Sequence, residues 1–494
     1  MRRSTFGLLL VVILALGAAP AAAGGGGSAK VTAPTVSGPV TGGQGHPSLV
    51  GTNFEFSDIG YERNEYFLEG TATSYEPAAP LGEDGKWKVG AKDTAPYKTR
   101  IVVYRPIDAK DFNGTVFVEW LNVSAGFDTS PDWTLAHTQL LRSGAAYVGV
   151  SAQAVGVQGG ADVIPGASAG GLKGGDPERY GTLSHPGDAH SYDIFSQAGL
   201  AAAGDAKGVE PLGTLDVKRV IAMGESQSAF RMTTYVNAVH PLTGIYDGFL
   251  IHSRGGSAAG FGSNRSSQGD PSIPQVARVR TDQDVPVLTA QTETDLTRLG
   301  FLPSRQPDSK HFRLWEIAGT AHADQYTGRL GFSDLGDGTA ERSLLDPAQA
   351  SGGVLRCAQP INAGPAFAVL NAAVFQLERW VRDGTPPPKA PRIASTGSEL
   401  VRDEHGIVRG GIRTPIVDVP IATNTGLPNE GGSFCTLFGT TAPFDAATIA
   451  SLYPSQQDYV REFERSADAA VKAGFWLKPN AENFKKAAAQ ITFG

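Results

Sequence analysis

The chain has 494 residues, of which 41% are hydrophobic and 18% charged, and a formal net charge of −7. This balance excludes a disordered or low-complexity protein and leaves length enough for a large core in one or two domains. The net negative charge and the lack of any Lys/Arg run argue against nucleic acid as a partner.

Met1–Ala23 has the make-up of a signal peptide, with Arg2 and Arg3, an apolar run from Phe6 to Leu16, and an Ala21-Ala22-Ala23 cleavage site. The run is short for a membrane span and no second one of spanning length follows, so the chain is expected to be exported, to periplasm or medium, after cleavage near Ala23 and without a stable membrane span. Residues 24–45, rich in Gly, Ala, Thr and Pro, read as a flexible tether. Two strands are predicted over Glu65–Tyr75 and Tyr97–Tyr104, joined by a hairpin-like loop. Next come a strand at Thr115–Trp120, a helix at Asp132–Arg142 closed by Gly144, and a strand at Ala146–Ser151. Ala152–Thr182 reads as a Gly-rich loop region, Tyr192–Ala203 as a helix, and Val217–Met223 as a strand followed by a helix over Ala229–Val239. Tyr246–His252 is a further strand and Ser253–Asp284 a long irregular stretch. Val285–Gln291 and Phe312–Ile317 complete the set of strands.

Apolar strands alternating with crossovers predict an α/β fold, a mostly parallel sheet flanked by helices, over residues 46–330. Functional groups in such a sheet gather at the carboxyl ends of its strands. From 331 to 494 the pattern changes to a C-terminal helical/β extension. An amphipathic helix spans Ala366–Asp383, with Phe367, Leu370, Val374, Leu377 and Val381 on one face; a β-hairpin over Leu400–Val419 turns near Glu404-His405-Gly406; and a helix runs over Ser455–Ala473.

Gly224-Glu225-Ser226-Gln227-Ser228 lies between a buried strand and a helix, the setting of a nucleophile elbow, although the usual pattern has glycine where Ser228 stands. A serine there also suits a helix N-cap. As a nucleophile Ser226 needs a histidine to take its proton and an acid to orient that histidine. The strand Val285–Gln291 runs into Thr292-Glu293-Thr294-Asp295, and Phe312–Ile317 runs into Ala318-Gly319-Thr320-Ala321-His322. The order Ser226, Asp295, His322 is that of α/β-hydrolases. Asp295 is the expected acid and Glu293 the alternative. The oxyanion hole is expected to use the N–H of Gln227 and one from Asn122 or Val123, which the sequence does not separate. Trp120, Phe127 and Trp133 suit either an acyl pocket or plain core. Two cysteines, Cys357 and Cys435, read as one disulfide in an oxidising compartment, and they are too few soft ligands for a metal site. The chemistry calls for no cofactor and no metal, and an ordinary histidine base would fail below about pH 6.

Gly224–Pro241, Tyr246–Arg254, Gln291–Asp295, Ala318–Asp324, Leu377–Pro388 and Tyr459–Phe475 resemble a family of exported bacterial α/β-hydrolase-domain proteins with a G-x-S-Q-S elbow. The likeness covers nearly the whole mature chain. It implies the α/β-hydrolase fold and a serine hydrolase acting on carboxylic esters, esterase- or lipase-like, with a small-molecule or lipid-like ester as partner. It implies no particular substrate. An amidase or peptidase using the same triad, and a non-catalytic binding protein on a hydrolase scaffold, are the alternatives.

Overall fold

β-branched and aromatic runs become strands. In chain order they are β1 (Thr35–Ser37), β2 (Tyr61–Pro77), β3 (Val89–Pro106), β4 (Thr115–Trp120), β5 (Ala146–Val150), β6 (Lys207–Gly208), β7 (Arg219–Glu225), β8 (Gly248–His252), β9 (Val287–Thr292) and β10 (Phe312–Ile317). The computed structural model describes residues 31–47, 49–160, 170–262, 270–346, 356–432 and 434–493. Among these residues the ten strands form one sheet in the order β10-β9-β8-β7-β4-β5-β3-β2-β1-β6, and two small antiparallel pairs, Ser395–Thr396 with Glu399–Leu400 and Ala422–Thr425 with Thr440–Pro443, lie in the C-terminal part. β5, β4, β7, β8, β9 and β10 are mutually parallel. β3 joins β5 antiparallel and continues into the long ribbon with β2.

The strands of the parallel part are buried on both faces, and alternation sorts their side chains between two cores. Val116, Val118 and Trp120 of β4 join one core, with the helices Ser191–Ala203 and Gln227–Thr234. Phe117 faces the other, which holds Trp133 and Leu140 of the helix Pro131–Ser143 and the C-terminal helices. The helix Ala366–Asp383 lies against Pro131–Ser143 and against β8 and β9. Helices Gln456–Ala473 and Lys478–Ala488 pack on each other and bury Phe463, Trp476 and Phe484 in the same core as Phe367.

Several segments depart from the sequence pattern. The Gly-rich stretch after β5 carries short helices at Ala154–Gln158, Gly171–Gly175 and Pro177–Tyr180; the last is capped by the Asp176 carboxylate, which accepts the Arg179 N–H. Within the tether expected over 24–45, Thr35–Ser37 form β1, which lies between β2 and β6 in the sheet, and residues 24–30 lie outside the described residues. The hairpin over Leu400–Val419 is reduced to one bridge between Arg402 and Val408, because Pro415 starts a helical turn at Pro415–Asp418. The helix after β7 begins at Gln227 rather than Ala229 and passes into a π turn at Tyr235–Val239. Cys357 and Cys435 form a disulfide. No helix among the described residues is long and apolar enough to cross a membrane. The signal segment Met1–Ala23 lies outside the described residues.

Candidate active site

β7 is apolar from Val220 to Met223 and delivers Gly224, Glu225 and Ser226 at its carboxyl end. Ser226 sits at φ 56° and ψ −119°, a conformation that costs roughly 1–3 kcal/mol in a residue with a side chain. Its N–H donates to His252 O at 3.0 Å and its carbonyl accepts from Phe230 N at 3.2 Å, so neighbours on both sides fix the turn. A Cβ at Gly224 would lie 2.9 Å from Met232 Cγ and 3.1 Å from Ser228 O, so glycine is required there. Ser228 is fully buried, and its hydroxyl has no partner among the described residues. It fits where glycine is usual without bracing the turn.

The carboxyl ends of β9 and β10 bring two more groups to Ser226. His322 Nε2 lies 2.8 Å from Ser226 Oγ, and His322 Nδ1 lies 2.7 Å from Asp295 Oδ1. A carboxylate at Nδ1 fixes the proton there and leaves Nε2 free to accept the Ser226 hydroxyl proton. Asp295 is also half of a capping box: its Oδ2 accepts from Thr292 N at 2.6 Å and from Thr292 Oγ1 at 2.8 Å. The same contacts that start the helical turn Glu293–Thr297 therefore lock the acid against the histidine.

Glu293 faces elsewhere. Its carboxylate accepts from Gly319 N at 2.7 Å, Arg402 Nη2 at 2.8 Å and Gly426 N at 3.1 Å. It ties the histidine loop and the C-terminal extension to the end of β9 and makes no contact with His322.

Gln227 is the first residue of its helix, so its N–H has no intrahelical acceptor and is free for an oxyanion. Asn122 is not the second donor: its N–H goes to Thr129 O at 2.9 Å. Its side chain instead donates to the carbonyl and to Oε2 of Glu225, both at 3.1 Å. The Ser124 N–H is likewise taken, by Asn122 Oδ1. The N–H of Val123 has no acceptor among the described residues.

Glu225, a position that reads as filler inside a G-x-S pattern, belongs to the site. Its Oε1 lies 3.4 Å from His322 Nε2. Burial pushes this carboxyl up to about 7, against the opposing pull of His322 and His252. Burial also disfavours a charged His322, but the carboxylates of Glu225 and Asp295 outweigh it and lift the ring to about 9. Below them His252 Nδ1 meets Asp132 Oδ1 at 2.9 Å. Asp132 in turn lies at the start of the helix Pro131–Ser143, whose first N–H groups donate to Glu119.

A cavity of about 270 Å³ opens beside Ser226 and His322. Its apolar wall comes from Phe332, Phe434, Leu437 and Phe438, and its other side from Ser124 and Ala125 of the loop after β4. Trp120 and Trp133 are core, with indole N–H groups bound to Gln153 and Thr52. A larger hollow, of about 440 Å³, lies between Phe444, Tyr453 and Phe493 and contains no member of the Ser226 cluster. No group of three or more His, Cys, Asp or Glu among the described residues is arranged to hold a metal ion.

Solved structures with a similar chain trace include acetyl xylan esterase 1 from Thermoanaerobacterium sp., at 11% identity over 58% of this chain and 81% of that one, with a TM-score of 0.30. They also include esterase Est22, at 15% identity, 54% and 75% coverage and a TM-score of 0.28. A cold-adapted esterase from an Arctic intertidal metagenomic library stands at 12%, 51% and 84%, and 0.28. Likeness of this degree says nothing of substrate. No curated protein sequence matches the chain. The family model for the alpha/beta hydrolase domain matches residues 36–486, running through the parallel sheet and across into the C-terminal helices, and the chain belongs to that family.

Proposed function

We propose that the protein is an exported serine hydrolase of carboxylic esters that works through Ser226, His322 and Asp295 and an acyl-enzyme intermediate. The observation that carries this reading is the unbroken line from Ser226 Oγ to His322 Nε2, 2.8 Å, and from His322 Nδ1 to Asp295 Oδ1, 2.7 Å, at the carboxyl ends of three strands. Ser226 Oγ attacks the ester carbonyl as its proton passes to His322 Nε2. The carbonyl oxygen becomes an oxyanion, held by the N–H of Gln227 and, in this reading, of Val123. The ester C–O bond then breaks, and the Nε2 proton leaves with the alcohol. Water, deprotonated by the same ring, releases the acid from Ser226.

The size and apolar wall of the cavity support a small-molecule or lipid-like ester with a short to medium acyl chain. The disulfide supports an oxidising compartment. Mass spectrometry of the secreted product, expected to start just after Ala23, tests export. A fluorophosphonate probe tests the chemistry: it should label the wild type and not Ser226→Ala, and absence of labelling in the wild type would sink the reading. p-Nitrophenyl esters graded by chain length, run beside an aminopeptide panel, then separate ester from amide hydrolysis and set the acyl preference.

A further inference from the structure

His322 has a carboxylate at each end of its ring. Asp295 holds Nδ1 at 2.7 Å, and Glu225 Oε1 lies 3.4 Å from Nε2, beside the shorter contact to Ser226 Oγ. Glu225 has little freedom to leave. It is the residue before the strained nucleophile, it is buried, and the Asn122 amide donates both to its carboxylate and to its backbone carbonyl. The charged and titratable groups that act on it come from every element around it: His322 from the loop after β10, His252 from β8, Asp132 from the helix Pro131–Ser143 and Asp295 from the turn after β9. No lysine or arginine is among them. Among the described residues the basic side chain in ion-pair contact with the Glu225 carboxylate is His322, while burial lowers His252 and disfavours its charged form.

Resting on the serine-hydrolase reading above, we propose that Glu225 is a positioning residue for the catalytic histidine: its carboxylate accepts the Nε2–H of His322 when the ring is charged. It thereby keeps the ring in line through both half-reactions and sets the acid limb of the pH profile. Before attack, the neutral ring accepts the hydroxyl proton of Ser226. Once Oγ is bonded to the acyl carbon it is a poor acceptor, and the new Nε2–H needs another. Glu225 Oε1 is the anionic acceptor at hand until the proton goes to the leaving alcohol. The same contact is occupied again when water gives up its proton during deacylation. An opposite charge at this distance strengthens a base, so the ring holds its proton to a higher pH than Asp295 alone would impose. The His322 value of about 9, lifted by Glu225 and Asp295 against burial, agrees with this arrangement, and His322 in turn pulls Glu225 down against the burial that holds it at about 7.

The test is kcat/KM for p-nitrophenyl acetate from pH 5 to 10.5 in the wild type, Glu225→Gln and Ser226→Ala. Glutamine keeps the size of the side chain and an oxygen for Asn122, and removes the charge. The acid-limb midpoint is expected to fall by roughly 1–2 units in Glu225→Gln, the range an opposite charge at close range imposes. A midpoint unchanged from the wild type overturns the inference, whatever happens to the plateau rate. Should Glu225→Gln not fold, the wild-type midpoint decides: above about 8 supports the second carboxylate, and near the ordinary histidine value of about 6.5 overturns it. Ser226→Ala keeps the two readings apart. If it hydrolyses as fast as the wild type, the serine-hydrolase reading itself fails. If it is inactive while Glu225→Gln keeps the wild-type limb, only the role given to Glu225 fails.

Discussion

Glu293 and Asp295 lie in one helical turn and hold different partners. At about 100° per residue, side chains two apart on a helix point to opposite sides. Asp295 meets the ring of His322, and Glu293 meets Arg402 and two backbone N–H groups. Asp295→Asn should lower kcat on the order of 10³- to 10⁴-fold with KM little changed, because the amide imposes the wrong tautomer on His322. Glu293→Gln should keep kcat within about tenfold of the wild type and lower Tm, since it strips the charge from a buried ion pair and leaves Arg402 uncompensated. Steady-state kinetics and a melting curve on each variant check this, and the assignment fails if the two phenotypes are exchanged. Ser226, Asp295 and His322 are readable in the sequence because each follows an apolar strand. Glu225 is not, since the residue before a nucleophile has no fixed chemistry; only the fold shows that its side chain turns back to the histidine. Asn122 is misread for a related reason: a bridge to Thr129 uses the N–H that its position in the loop offers.

The elbow and the pocket wall are set by different elements. At the elbow, Gly224→Ala puts a methyl group 2.9 Å from Met232 and should cut kcat/KM at least about tenfold by shifting Ser226. Ser228→Ala removes a buried hydroxyl with no partner and should leave kcat/KM unchanged and the unfolding free energy within about 1 kcal/mol of the wild type. A Ser228→Ala protein that melts far lower would reveal a bond for that hydroxyl. The pocket wall comes from the extension: Phe434, Leu437 and Phe438 flank Cys435, and the disulfide to Cys357 closes a loop of 78 residues. Removing it as Cys357→Ser/Cys435→Ser should lower stability by about 2–5 kcal/mol and raise KM for longer esters several-fold, with less effect on the acetate. Equal KM values across the ester series would sever the wall from the disulfide. The strands and long helices were legible because their apolar periodicity is strong. The short helices Ala154–Gln158, Gly171–Gly175 and Pro177–Tyr180 are not, because glycines mask helical pattern and the last is started by an Asp176 side-chain cap that composition does not display. The wall was invisible for want of any signal of proximity between residue 434 and residue 226.

For the molecule as a whole, stability and activity should run in opposite directions along the pH axis. In the folded chain burial raises Glu225 and Glu341 to about 7, and the carboxylates beside it raise His322 to about 9, against 4.5 and 6.5 as their ordinary values. Between the ordinary and the raised value the folded chain carries a proton that the unfolded chain has lost. The stability linked to that proton is complete below the ordinary value and disappears as pH rises through the raised one. His240, lowered to about 4 by burial, works the other way, adding stability as pH rises, but only below about 6.5. Tm should therefore decline from pH 6.5 to 9 while kcat/KM climbs over the same interval as His322 becomes a free base. Thermal scans beside rate profiles check this, and a Tm that rises steadily to pH 9 would contradict it. The last consequence concerns the outer side of β2. This strand is seventeen residues long, yet only Phe67–Glu69 of that side pairs with a strand, β1. Beyond it, Val40 N–H caps Glu65 O, Gln197 Nε2 caps Thr71 O, and the Asp193 carboxylate takes the Thr73 N–H. An edge this long is a template on which a second molecule could add its own strand, and here it is covered by three residues of β1, by the helix Ser191–Ala203 that carries Asp193 and Gln197, and by single polar contacts. A chain clipped at Val40, lacking β1, should therefore form oligomers or precipitate at concentrations where the longer chain stays dispersed.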